Sequence, residues 1–286
     1  MFDLKQEAET ITRVNQRFDE FIARHRNELL SGLKDDQQRV TVRYYLKVLQ
    51  ELCTQGCGCL QVQAYSTLEA LSRVIMEQSA NMFYVGMDGG DNVRALLRSS
   101  KTLTESNGKS WVAYLAEKGI EHPAAQARLD NGALMREEFD KRWPNVARYP
   151  GGKGLFTAIG WENAYYAFYS PLCDSVHSFS DDLSNLVMTS EVIAESKEYG
   201  EKVQRYIENE RRRLATYHYA MAIGLRAEAF GGVWNALELS LDQKEVDDVF
   251  GELYSLIQRH ENFDSSRLSE LNAGDMSLKE FLVNSR

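Results

Sequence analysis

From Leu4 to Leu30 the apolar residues Ile11, Val14, Phe18, Phe21, Ile22 and Leu29 recur at three- and four-residue spacings with charges between them. That period lays one face of an α-helix against a core. It predicts a second helix from Arg39 to Leu52, carried by Val42, Tyr45, Leu46 and Leu49 and closed near Gly56, where glycine suits a helix end. A third follows from about 60 to 85, and a fourth starts near Asn92, is interrupted at Asn107-Gly108 and resumes through Trp111 to Leu115. Residues 119–160 read as an irregular connection holding one short helix at about 124–142. Trp161 to Ser180 is helical again but broken at Pro171, because Ser170-Pro171 fits an N-cap followed by proline at the first helical position. A long charged helix from Ser184 to about Leu239 bends at Gly231-Gly232, and two shorter ones, about 243–260 and 277–284, close the pattern. No stretch alternates at the strand period. The expectation is an all-α bundle of about seven to nine helices: an N-terminal helix within 1–39, a core over 40–239 that includes the connection, and C-terminal helices over 240–286 packed on it.

Proline sharpens this picture. All four prolines, Pro123, Pro144, Pro150 and Pro171, fall in the central window, so both flanks are free of the residue that breaks helix interiors. Charge bears on partners: 33 Lys and Arg against 42 Asp and Glu leave a net −9, which disfavours a general nucleic-acid coat held by counterion release. No apolar run reaches the length of a membrane span, and the opening residues carry acids where a secretory signal needs an apolar stretch, so the expected location is the cytoplasm, with no membrane association.

Two motifs invite a cofactor and are read otherwise. Cys53-x3-Cys57-x-Cys59, with Cys173 far away, supplies one cramped group where structural zinc sites use two knuckles, so these thiols are read as small apolar residues. Gly151-Gly152-Lys153-Gly154 lacks the Ser/Thr and the preceding strand of a phosphate loop and is read as a loop. No metal or cofactor is expected.

The chemistry-bearing pattern lies on the third helix. Arg73, Glu77, Asn81 and Tyr84 fall at i, i+4, i+8 and i+11, one narrow polar stripe on a helix whose remaining circumference is apolar, and an unpaired charge there is costly to bury. Tyr169, Cys173 and His177 form a matching i, i+4, i+8 set. Over residues 60–180 the order Arg73-x3-Glu77, Trp143, Tyr165 or Tyr166, then Tyr169-x2-Leu172-x3-Val176-His177 resembles a bacterial all-helical family of unknown function, whose signature is Arg-x3-Glu followed by Tyr-x2-Leu-Ser-x2-Val-His. Cys173 stands where that family has serine, and Pro171 interrupts a helix that is usually continuous. More distantly, Arg211-Arg212-Arg213-Leu214-Ala215-Thr216-Tyr217-His218 is similar to the Arg-x4–6-His site of HEPN helical bundles, many of them RNases of toxin–antitoxin and phage-defence systems. The resemblance implies His218 as general acid or base and Arg213 as the cation facing phosphate.

Two functions follow as expectations. In the first, Arg73, Glu77, Tyr169 and His177 converge into one partly buried polar network inside a non-enzymatic sensor or partner-binding protein of a bacterial defence or toxin–antitoxin system, acting with a protein partner or as a homodimer. In the second, the chain is a HEPN-like, metal-independent RNase using His177 or His218, and RNA is its substrate.

Overall fold

The computed structural model describes residues 2–176, 187 and 197–272. The chain is all-α, and among the described residues there is no strand. Its elements are α1 (Leu4–Gly32), α2 (Asp36–Gln61), α3 (Tyr65–Gly86), α4 (Asp91–Glu117), α5 (Pro123–Arg142), α6 (Gly152–Ala158), α7 (Glu162–Ala164), a π-helical turn (Tyr165–Tyr169), α8 (Ser170–Val176), α9 (Lys197–Ala236) and α10 (Gln243–Asn272). No described helix is long and apolar enough to cross a membrane.

Local chemistry sets the helix starts. The Asp3 carboxylate accepts from the Gln6 amide at 3.1 Å and Asp35 from the Gln38 amide at 2.9 Å, satisfying amides that have no partner within their own helix. Asp88 accepts from Gly90 and Asn92 at the start of α4, and Pro123 opens α5.

The centre of the molecule is α3, held between α2 and α9. Three glycines let these helices meet. A Cβ on Gly56 would lie 2.3 Å from the Tyr219 ring, one on Gly86 2.3 Å from Val233, and one on Gly232 2.5 Å from the Phe83 ring. Gly56 therefore sits inside α2 at its crossing with α9 and does not end the helix; α2 runs on to Gln61. Gly231-Gly232 likewise leaves α9 continuous, with Gly232 seating Phe83. Gly108 does not interrupt α4: it is buried where a Cβ would meet the Leu129 backbone of α5 at 3.0 Å. In all three places tertiary packing, not turn formation, requires the missing side chain.

α1 and α10 close the other side of α9. Phe18, Phe21 and Phe230 pack edge to face at 5.8–6.1 Å beside the fully buried Trp234, so the N-terminal helix shares its core with α9. Arg226 of α9 is buried there and donates to Asp19 at 2.6 Å and to Asn15 at 3.0 Å. The helix expected at 243–260 continues to Asn272, and the one expected at 277–284 lies outside the described residues.

Candidate functional site

Residues 149–173 return across α3 and cover the stripe that the sequence marks. Pro171 does not start a new helix: Ser170 has helical dihedrals, and the chain passes from the π turn directly into α8. The π turn is the local solution to proline. Pro171 has no amide to give, and its ring crowds the carbonyl four residues back. One surplus residue widens the helix, and the Ser170 amide reaches the Tyr165 carbonyl instead. This turn aims consecutive rings at different neighbours. Tyr169 faces α3, while Phe168 contacts Tyr217 and His218 of α9 at ring distances of 5.8 and 6.2 Å.

On the α3 side the groups converge. The Tyr169 hydroxyl donates to Glu77 Oε2 at 2.9 Å, and Arg73 Nη2 stands 3.9 Å from the same oxygen. Arg73 Nε donates to Cys173 Sγ at 3.1 Å, with its guanidinium 5.7 Å from the centre of the Tyr169 ring. One turn on, Tyr149 donates to Asn81 Oδ1 at 2.6 Å, and Asn81 Nδ2 donates to the Glu77 carbonyl at 3.0 Å. Tyr84 completes the stripe edge to face with Tyr149 at 5.8 Å. The stripe is therefore not a solvated face. Asn81 and Tyr84 are buried, and the Arg73 and Glu77 side chains keep 24% and 39% of their exposure, so the cluster opens to water only at its charged end.

Electrostatics fixes the protonation of the phenols. Burial and the nearby Glu77 carboxylate push Tyr169 well above the ordinary range and Tyr149 up to about 12, so both remain donors at neutral pH. Burial works against the Arg73 guanidinium, but its bonds to Cys173 and Tyr169 outweigh this and hold it charged. The arrangement brings together Arg73, Glu77 and Tyr169 as the sequence predicts. His177, the fourth expected member, lies outside the described residues.

Arg213 and His218 occupy the α9 face behind Phe168. His218 Nδ1 is enclosed without a hydrogen-bond partner, and burial, aided by the Arg213 charge, pushes the imidazole down to about 4. Arg213 is buried and committed on all three nitrogens: Nε and Nη2 to Glu210 at 3.0 and 2.7 Å, Nη2 to Asp264 at 2.6 Å, and Nη1 to His260 Nδ1 at 3.1 Å. His260 Nε2 in turn meets Glu7 Oε2 at 3.2 Å, which ties α1, α9 and α10 into one seam. The other arginines of the run are also engaged, Arg211 with Ser66 and Arg212 with Glu208.

The remaining motifs hold no reactive arrangement. Cys53 and Cys57 are buried, free thiols one turn apart on α2; burial pushes Cys53 up to about 11, and Cys57 lies 3.4 Å from the Tyr219 hydroxyl. Among the described residues no three His, Cys, Asp or Glu side chains gather as a metal site. Gly152, Lys153 and Gly154 form the first turn of α6 and not the expected loop, and Lys153 contacts Tyr166 and, at 3.4 Å, Glu162. Comparison of the chain with protein-family models, curated proteins and solved structures returned no match.

Sequence reasoning missed Tyr149, the role of Cys173 as acceptor for Arg73, and the Glu7–His260–Arg213–Asp264 seam. The last carried a signal. Glu7 precedes Ile11, Val14 and Phe18 on one helical stripe, and His260 follows Leu253, Leu256 and Ile257 on another, so each is an ionisable group at a core position.

Proposed function

We propose that the chain is a non-enzymatic, partner-binding helical protein in which the Arg73–Glu77–Tyr169 network holds the return segment on α3. The observation that carries this reading is closure: among the described residues, the arginines of both candidate sites are engaged by side chains of the same molecule. The Tyr169 proton goes to Glu77, Arg73 Nε to Cys173, and every Arg213 nitrogen to a side chain of the same molecule. An RNase of the HEPN kind needs an arginine free to meet phosphate and a histidine able to exchange a proton near neutrality. Arg213 is already neutralised by Glu210 and Asp264, and His218, its Nδ1 enclosed and its imidazole pushed down to about 4, is neutral at pH 7. The defence or toxin–antitoxin setting implied by the HEPN resemblance is compatible with such a protein acting through a partner.

The test is RNA degradation in EDTA by the wild type and by His177→Ala and His218→Ala, alongside thermal melting of Arg73→Ala and Glu77→Ala. The expected result is no cleavage by any of the three chains and a clearly lowered melting temperature for both stripe variants. Cleavage by the wild type that either histidine variant abolishes would establish the nuclease instead.

A further inference from the structure

α4 and α5 form an antiparallel hairpin that leaves the body of the bundle. Only the start of α4 is anchored there, through buried Val93 and Ala95 and the Arg94–Asp35 ion pair at 2.5 Å, and α5 packs chiefly against α4. The two helices approach closely at Gly108 against Leu129 and at Gly132 against the Glu105 backbone. A pair of helices buries one stripe of each and leaves the flanking stripes open, so among the described residues no other element covers the apolar side chains on those flanks.

On one flank two depressions adjoin, sharing Lys101 and Met135, and make a continuous groove from Ala124 to Trp143. Along α5 this is about 28 Å at 1.5 Å per residue, the length of a helix of about 20 residues. Leu97, Ala127 and Met135 give it an apolar lining, and Met135 is 54% exposed. Lys101, Arg128 and Arg142 also line it. None of these three has a carboxylate partner among the described residues; Lys101 lies over Phe139 and Arg142 over Trp143. The groove's own acid, Glu138, is taken by Lys141 at 2.9 Å. Arg128 and Arg142 are about four turns apart and so share one face of α5.

We propose that this groove docks an acidic amphipathic helix of a partner protein, which completes a three-helix bundle on the hairpin. The partner's apolar stripe covers Leu97, Ala127 and Met135, and carboxylates about four turns apart meet Arg128 and Arg142, with one between them for Lys101. A second copy of this chain fits less well, because antiparallel two-fold pairing along the groove sets the cations of one copy, Arg128, Lys101 and Arg142, against the cations of the other. Nucleic acid is disfavoured by the apolar lining and by the net charge of −9. The proposal rests on the partner-binding reading and specifies the chemistry of the partner.

The probes are two fluorescein-labelled helical peptides of about 20 residues that share a Leu/Ala stripe and carry flanking Glu in one case and flanking Lys in the other, titrated by anisotropy into the full chain. The expected result is that the Glu peptide binds at least about ten-fold tighter, that Lys101→Glu with Arg128→Glu inverts the preference, and that amide exchange slows in α4 and α5 on binding. Arg128 is exposed and Lys101 half-buried, and circular dichroism checks that the doubly substituted chain remains folded. No binding of the Glu peptide, equal affinities, or a preference that survives the charge reversal would overturn the site. So would tighter binding of an RNA oligomer at the same residues, or a concentration-dependent dimer dissolved by Met135→Asp. Failure of the site leaves RNA cleavage undetected, whereas failure of the partner-binding reading is seen as histidine-dependent cleavage, so the two are told apart.

Discussion

Tyr169 and Glu77, ninety-two positions apart in the chain, are joined by a 2.9 Å hydrogen bond from phenol to carboxylate. The bond holds the return segment on the central helix, and its energy should be shared with Arg73, which stands 3.9 Å from the same oxygen. Tyr169→Phe should lower stability by about 1 kcal/mol, below the usual range of about 1.5–3 kcal/mol for a hydrogen bond to a charged group because Glu77 is partly exposed. In a double-mutant cycle with Glu77→Gln, urea unfolding should show the two losses falling short of additive. Strict additivity would mean that the pair contributes nothing as a pair.

Gly86→Ala should be destabilising by about 2 kcal/mol or more. In a solvent-facing helix the same change would be favourable by about 1 kcal/mol. Here the new methyl arrives 2.3 Å from Val233, and α3 or α9 must shift to admit it. Adding Val233→Ala should restore part of the melting temperature, and absence of any rescue would show that the crossing is not what limits this position.

His218 makes stability depend on pH in a defined window. Its imidazole is held at about 4 in the fold against 6.5 when free, so between those values the unfolded chain binds the proton more readily. The contribution is complete above pH 6.5 and is lost as pH falls through 4, up to about 3 kcal/mol in all. Because Nδ1 has no hydrogen-bond partner to lose, His218→Phe should flatten this slope with little cost at pH 7. Urea midpoints measured from pH 7 to pH 4 decide it; equal slopes in both chains would reject the assignment.

At the α1–α9–α10 seam, arginine has only donors to offer, so the Arg213 contact at 3.1 Å requires a bare Nδ1 on His260, and the ring proton must sit on Nε2 toward Glu7. Long-range proton–nitrogen NMR should find that tautomer. His260→Ala should cost about 3 kcal/mol, since it strips a partner from two buried charges at once. A proton found on Nδ1 would refute the contact.

The helices were legible because apolar spacing alone reports which face is buried; Phe18, Phe21, Leu49 and Leu68 all lie where that spacing puts them. Glycine was misread for a physical reason: the sequence displays a missing side chain and not what presses against it, so Gly56 reads as a helix end, Gly108 as an interruption and Gly232 as a bend although each is a point of contact. Arg73, Glu77 and Tyr169 were found because an i, i+4 polar pair on an apolar helix demands a partner. Tyr149 was not, because it enters from an irregular connection in which no period exists to orient it. The engagement of Arg213 was only partly legible in the arginine run, because Asp264, which pairs with it, comes from a different helix.

The π turn gives the return segment a property that composition does not record. Phe168 meets α9 and Tyr169 meets α3 from consecutive positions of a turn that carries one residue more than an α-helix needs. Removing a single residue between Tyr165 and Tyr169 would close the turn to regular α-helix, leaving the downstream helix in register but taking away the widening around Pro171 and re-aiming the rings within the turn. What this stretch must preserve is its exact length, which makes it sensitive to a deletion that leaves every named side chain in place.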